Sequence, residues 1–190
     1  LCHQLIDGFD CDVIDLLPSY ANKIPVIIIA RLLGVPEEMA DQLLKWSNDM
    51  VMMYQARRSR ALEDRAVAST EEFVAFMRRY IEVRRKQPAD DLITHLIAAE
   101  EDGVRLSTDE MISTCILLLN AGHEATVHTL GNGIKCLIQG GYQSYHFSSE
   151  SGTDNLVEEI LRFAPPLHMF TRYANEPCQI GPFRIKEGEE

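Results

Sequence analysis

The sequence predicts a mainly α-helical protein with a short β-hairpin region at its C-terminal end. Three observations carry that prediction. Apolar residues recur at helical period from Tyr20 to about Ile138. Ser107 and Glu110 stand at capping-box spacing before a long run of apolar or small residues, Met111 to Ile138. Gly181-Pro182 interrupts a loosely alternating tail, as a hairpin turn would.

The chain has 190 residues, room for a single domain with a real core, and 1–190 shows no linker or internal repeat. Hydrophobic residues make up 46 % and charged residues 25 %, as in ordinary globular proteins. A net charge of -11 argues against nucleic acid or an anionic membrane surface as partner. No apolar run approaches the roughly 20 residues of a membrane span. Five cysteines, Cys2, Cys11, Cys115, Cys136 and Cys178, form no CxxC pair, so they read as reduced thiols of a cytoplasmic protein rather than a zinc site.

The elements follow in order. Pro18 to Gly34 reads as a buried helix ended by Gly34. Pro36 opens the next, with Glu37 and Glu38 in its first turn and Trp46 on its way to Tyr54. Arg57, Arg58, Arg60 and Arg65 read as a solvated basic patch. A second long helix is expected from Thr70, with Phe73, Phe76, Met77, Tyr80, Ile81 and Val83 on one side, ending before Pro88. Asp90 is expected to cap a short helix over Asp91–Glu100, with a turn at Gly103. The helix after Ser107 is apolar all round in its middle (Ile116 to Leu119), which predicts a long, buried central helix. Tyr142 to Asp154 has no period and reads as a loop. Asn155 is expected to cap a helix reaching Phe163, halted by Pro165-Pro166.

Three constellations stand out. In Ala121-Gly122-His123-Glu124-Ala125-Thr126, a glycine and a carboxylate sit side by side in an apolar helix. Glycine there costs about 1 kcal/mol against alanine, and a buried carboxylate costs more unless paired or hydrated. A flat cofactor lying against the helix would explain both, and so would helix packing through Gly122 with Glu124 paired to a buried arginine. His123 and His128 are five apart, about 140° around a helix, which rejects the zinc-hydrolase motif. Glu159 and Arg162 lie at i,i+3 on one helical face and can pair. Arg172, ten positions on and on an expected strand, is a carboxylate-binding side chain whose ordinary use is a salt bridge.

In this order and spacing, the three constellations resemble those of bacterial cytochrome P-450 enzymes. The AGHEAT run (121–126) resembles the oxygen-binding motif of the family's long central helix. Glu159-Ile160-Leu161-Arg162 resembles its ExxR, and APPLHMFTR (164–172) the segment after it. IPVIIIARLLGVP (24–36), DDLITHLIAAEEDGVRLS (90–107) and CQIGPFRIKEGEE (178–190) also look like their family counterparts. The likeness runs from Asp12 to Glu190, except Tyr142 to Asp154.

The resemblance implies a fragment of the cytochrome P-450 fold and, for the parent protein, a heme-dependent monooxygenase. Such an enzyme inserts one oxygen atom of O2 into a small organic substrate. Its electrons come from NAD(P)H through a ferredoxin reductase and a ferredoxin. By the same carry-over, Ala121 and Gly122 face the heme and Glu124 helps deliver protons. Arg172 contacts a propionate, Glu159 and Arg162 brace the heme-binding core, and Leu167 and Met169 border the substrate pocket. The family usually has threonine directly after the acid. Here Ala125 takes that place and Thr126 follows, about 100° further round the helix. The cysteine loop that ligates iron in the family is not among these residues, so no metal ligand is assigned and the chain alone is expected to be inactive. The alternative is a helical binding module descended from the fold, without heme chemistry.

Overall fold

A short helix, Cys2–Asp7 (α1), and a five-residue π-turn, Leu17–Ala21, lead into a helix over Lys23–Leu33 (α2). That helix stops where glycine permits it. Gly34 takes a left-handed φ of 79°, and its N–H closes onto the Arg31 carbonyl. In the computed structural model, all residues are described except 56, 102–103, 143–148, 170 and 190.

A 3-10 turn at Glu37–Met39 precedes Ala40–Val51 (α3), and another at Met52–Tyr54 closes it. The second long helix, Arg60–Lys86 (α4), begins ten residues before the expected Thr70, and it leaves Val83 exposed rather than on the side that buries Phe73, Met77 and Ile81. Ser59 caps it, accepting from the Leu62 N–H at 3.3 Å. The arginines expected to form a solvated patch are exposed, and Arg60 and Arg65 among them also pair with carboxylates around its first turns. Arg60 pairs with Asp64 at 2.9 Å, and Arg65 reaches Asp49 of α3 at 3.0 Å. Charge there hides the apolar period, because the inward positions are the small residues Ala66 and Ser69.

Leu92–Ala98 (α5) is capped by Asp91, not Asp90, through the Thr94 N–H at 2.8 Å. It ends early because Glu100–Glu101 (β1) pairs antiparallel with Val104–Arg105 (β2). The turn expected at Gly103 lies outside the described residues. Thr108–Gln139 (α6) carries the full capping box of Ser107 and Glu110. Glu150–Phe163 (α7) starts from Ser149, which accepts from the Gly152 N–H at 3.1 Å, rather than from Asn155. Ser151, Gly152 and Thr153 are poor helix formers, and the cap recruits them. Positions 143–148 of the expected loop lie outside the described residues. Cys178–Ile180 (β3) and Phe183–Ile185 (β4) form the predicted hairpin, turning at Gly181 with φ 58°. Thr171 to Ala174 lie outside any strand, so Arg172 is not on one. Ala174 instead exchanges bonds with Glu189 and Gly188 at 3.0 and 2.8 Å.

The core lies where α2, α3, α4 and α6 meet, filled by Leu33, Leu43, Phe73, Met77, Met111 and Leu119. Trp46 meets Phe73 edge-on at 5.6 Å, and its indole N–H donates to Glu72 at 2.8 Å. A polar staple binds the ends of three helices. Arg84 of α4 donates to the Gly34 carbonyl at 2.7 Å and sets its Nε 2.6 Å from Asp91 Oδ2. Tyr80 donates to the same carbonyl, and Arg84 lies over its ring. The long helix is central, as expected, but its burial is one-sided: Met111, Cys115, Leu119, His123 and Val127 are buried, while Leu117 is 65 % exposed. No described helix is long and apolar enough to cross a membrane.

Candidate functional site

The middle of α6 divides the AGHEAT residues by helical phase. At 100° per residue, Leu117, Glu124, Ala125 and His128 all fall within about 60° of Ala121. The structure places Leu117, Ala121, Ala125 and His128 exposed and Glu124 half-exposed. An open stripe results, small in the middle (Ala121, Ala125), with one carboxylate on its edge.

Gly122 turns off this stripe. A Cβ there would stand 3.2 Å from Ile29 Cδ1, so the glycine lets α2 approach α6 closely. Thr126 is also turned away from Ala125, and its hydroxyl donates to the Gly122 carbonyl at 2.9 Å. Thr129 donates likewise to Ala125 at 2.8 Å. Both are local back-bonds within the helix. His123 points into the protein, and burial pushes its pKa down.

The other predicted residues lie beyond α6. Glu159 and Arg162 form a two-pronged pair on α7, at 2.7 and 2.6 Å. The guanidinium holds Glu159 below the usual carboxylate range, and the carboxylate raises Arg162. The pair is exposed, so it orients α7's outer face more than it stabilises the helix. On its inner face α7 sets Ile160 against Gly133 of α6, where a Cβ would stand 3.2 Å away, and takes the Asn132 amide on the Ala164 carbonyl at 3.3 Å. Arg172 is exposed and donates to the Thr171 carbonyl at 2.8 Å. Leu167 and Met169 are at the surface of a segment without regular structure. The structure thus sets Ala121, Glu124 and Ala125 on one open face of α6, turns Gly122 and Thr126 off it, and places Glu159 and Arg162 on α7 and Leu167, Met169 and Arg172 in the exposed segment that follows.

The sequence reading missed Leu117 and His128 as members of the open stripe. Counting 100° steps from Ala121 would have found both. It also weighed His123 only as a zinc ligand. Among the described residues no cluster of His, Cys, Asp and Glu could hold a metal ion.

No family model matches the chain. Relatives do. The chain is 36 % identical over 187 residues to 6-deoxyerythronolide B hydroxylase of Saccharopolyspora erythraea, covering 97 % of itself and 45 % of that protein. It is 31 % identical over 190 residues to the biotin biosynthesis cytochrome P-450 of Bacillus subtilis, covering 99 % and 48 %. The ligand-free structure of cytochrome P-450 TbtJ1 superimposes with a TM-score of 0.89 at 31 % identity, over 99 % of this chain and 50 % of that one. The chain belongs to the bacterial cytochrome P-450 family. It spans about half the length of the cytochrome P-450 relatives it matches.

The family implies heme, and the residues fit one wall of its site. Ala121 and Ala125 leave a flat apolar group room against α6, and Glu124 stands beside it with access to water. The thiols do not complete the site. Cys115 is buried in the core, where burial pushes its pKa up to about 11 and keeps it protonated. A cysteine holds heme iron as its thiolate. Cys136 lies 15 residues along α6 from Ala121, about 22 Å at 1.5 Å per residue. Cys2, Cys11 and Cys178 sit on α1, the segment after it and the hairpin, and none shares a helix with the open stripe.

Proposed function

We propose that this chain supplies the oxygen-side wall of a heme-dependent monooxygenase, which inserts one oxygen atom of O2 into a small, largely apolar organic molecule. The open stripe of α6 carries the reading: two alanines flanked by a half-exposed carboxylate on an otherwise packed helix. That relatives include a hydroxylase supports the reaction class. When bound, heme supplies oxygen activation, favoured by a cysteine thiolate ligand from outside the residues assigned here.

The chain's own residues bind, orient and move protons. Ala121 and Ala125 keep the stripe flat, and Gly122 works from behind, seating α6 on α2. Glu124 holds and passes a proton at its carboxylate, taking it from the water that reaches it. Thr126 is committed to the Gly122 carbonyl and faces away from Ala125, so proton delivery rests on Glu124 and water. Arg172 offers its guanidinium to a heme propionate. The Glu159–Arg162 pair braces α7 against the heme-binding core, and Leu167 and Met169 give the substrate apolar contact. Electrons come from NAD(P)H through a ferredoxin reductase and a ferredoxin. Glu124→Gln, made in the whole protein, should lower product formation by about 100-fold, the usual scale of one acid-base group, with heme content unchanged. Full activity in that variant would sink the assignment.

A further inference from the structure

His123 is 2 % exposed, and neither imidazole nitrogen completes a hydrogen bond. Buried side chains of this kind are nearly always partnered. The group it approaches is the Asn22 carbonyl. Asn22 sits at the junction of the π-turn and α2, and its N–H closes the turn on the Leu17 carbonyl at 2.9 Å. Three of the contacts of segment 17–33 with α6 are Leu17 beside Gly131, Asn22 beside His123, and Ile29 beside Gly122. The outer two are tight apolar contacts, where a Cβ would stand 3.0 and 3.2 Å from the facing side chain. The middle one alone of these three can change charge. Single π-turns are rare and concentrate at functional sites.

We propose that His123 is a pH-sensitive positioning residue: neutral, it seats the π-turn at Leu17–Asn22 on α6, and protonated, it unseats that turn and loosens the part of α6 bearing Ala121 and Glu124. An imidazolium must place two N–H donors. The Asn22 carbonyl can take one of them, and among the described residues no hydrogen bond takes the other, so one donor stays buried and unpaired, which costs more for a charged group than for a neutral one. Burial opposes the charge most; the Asn22 carbonyl favours it, and His128 opposes it again. Of the charged or titratable groups next in sequence to the pair, Glu124 follows His123 on α6, and Tyr20 and Lys23 flank Asn22 on segment 17–33; Lys23 is exposed, and Glu124 and Tyr20 are half-buried. Helix α7 meets α6 further along, at Asn132 and Gly133.

The sign follows from the buried neutral form. The seat is fully stable above the ordinary histidine value of about 6.5 and weakens as pH falls from there through the lower folded-state value. A single proton can raise the open population by at most about tenfold per pH unit in that window. The proposal does not rest on the heme reading.

The test uses the 190-residue chain. The His123 ring would be titrated by NMR, with amide exchange of residues 17–24 and 119–127 followed from pH 7.5 to 4.5 and referred to intrinsic rates. His123 should titrate below the ordinary value, and both segments should lose protection by about tenfold or more over that range. His123→Leu should abolish this pH dependence, and His128→Gln should keep it with a raised midpoint. An ordinary His123 titration, a flat exchange profile in the unaltered protein, or an undiminished pH dependence in His123→Leu would each overturn the proposal. The first two stand even if the leucine variant fails to fold.

Discussion

Asp91 does two jobs with its two oxygens, and they can be separated. Oδ1 caps α5 through the Thr94 N–H at 2.8 Å. Oδ2 faces Arg84 Nε at 2.6 Å, the two side chains being only 3 % and 18 % exposed. Removing one member of a buried pair costs about 3–5 kcal/mol. Arg84 keeps the Gly34 carbonyl and the Tyr80 hydroxyl as partners, so the low end, about 3 kcal/mol, applies. Losing the cap adds about 1 kcal/mol. Asp91→Ala should therefore cost about 4 kcal/mol, and Asp91→Ser, which can still cap, about 3 kcal/mol. Urea unfolding followed by circular dichroism, at constant m, measures both. A cost under about 1 kcal/mol for Asp91→Ala would refute the view that the staple joins α2, α4 and α5. The same staple explains Gly34, where an added Cβ would lie 2.1 Å from Asp91 Oδ2 at a φ of 79°.

Two further predictions follow from local electrostatics. Cys115, buried with its thiol pushed to about 11, should resist a thiol reagent at pH 8 until the chain unfolds, while exposed Cys2, Cys11 and Cys178 react at once. Mass mapping of the labelled peptides reads this, and prompt labelling of Cys115 would contradict its place in the core. Glu110 is held below its ordinary value by the Ser107 backbone N–H and then its side chain. The capping-box contribution should be present above about 4.3 and fade as pH falls through the lower folded value. Glu110→Gln should flatten that part of the stability profile, and an unchanged profile would show that the box adds nothing.

Much of this architecture was legible because its signals are local. Gly34, Pro36, the Ser107–Glu110 box and Gly181-Pro182 each set a boundary through backbone chemistry that a few residues encode. The failures share a cause. The starts of α4 and α7 are set by serine caps followed by charged or small residues, which carry no apolar period. Asp91 displaced Asp90 because the choice between adjacent caps depends on Arg84, seven residues back in sequence but across a helix packing. The open stripe was concealed by its composition: helical phase groups Leu117, Ala121 and Ala125, but they read as core residues until the packing shows that the other helices leave that side of α6 uncovered. His123 was invisible for a similar reason, since a buried, unpaired imidazole is defined by what surrounds it.

We expect heme to seat on the open stripe of α6. The most direct test is a hemin titration of the 190-residue chain beside Ala125→Trp, read in the Soret band and followed by the reduced, carbon-monoxide difference spectrum. Saturable binding without a thiolate-type shift is expected, weakened at least tenfold by the tryptophan, with unchanged circular dichroism. Equal binding by both proteins, binding by neither, or a thiolate-type spectrum from one of the five cysteines would contradict it.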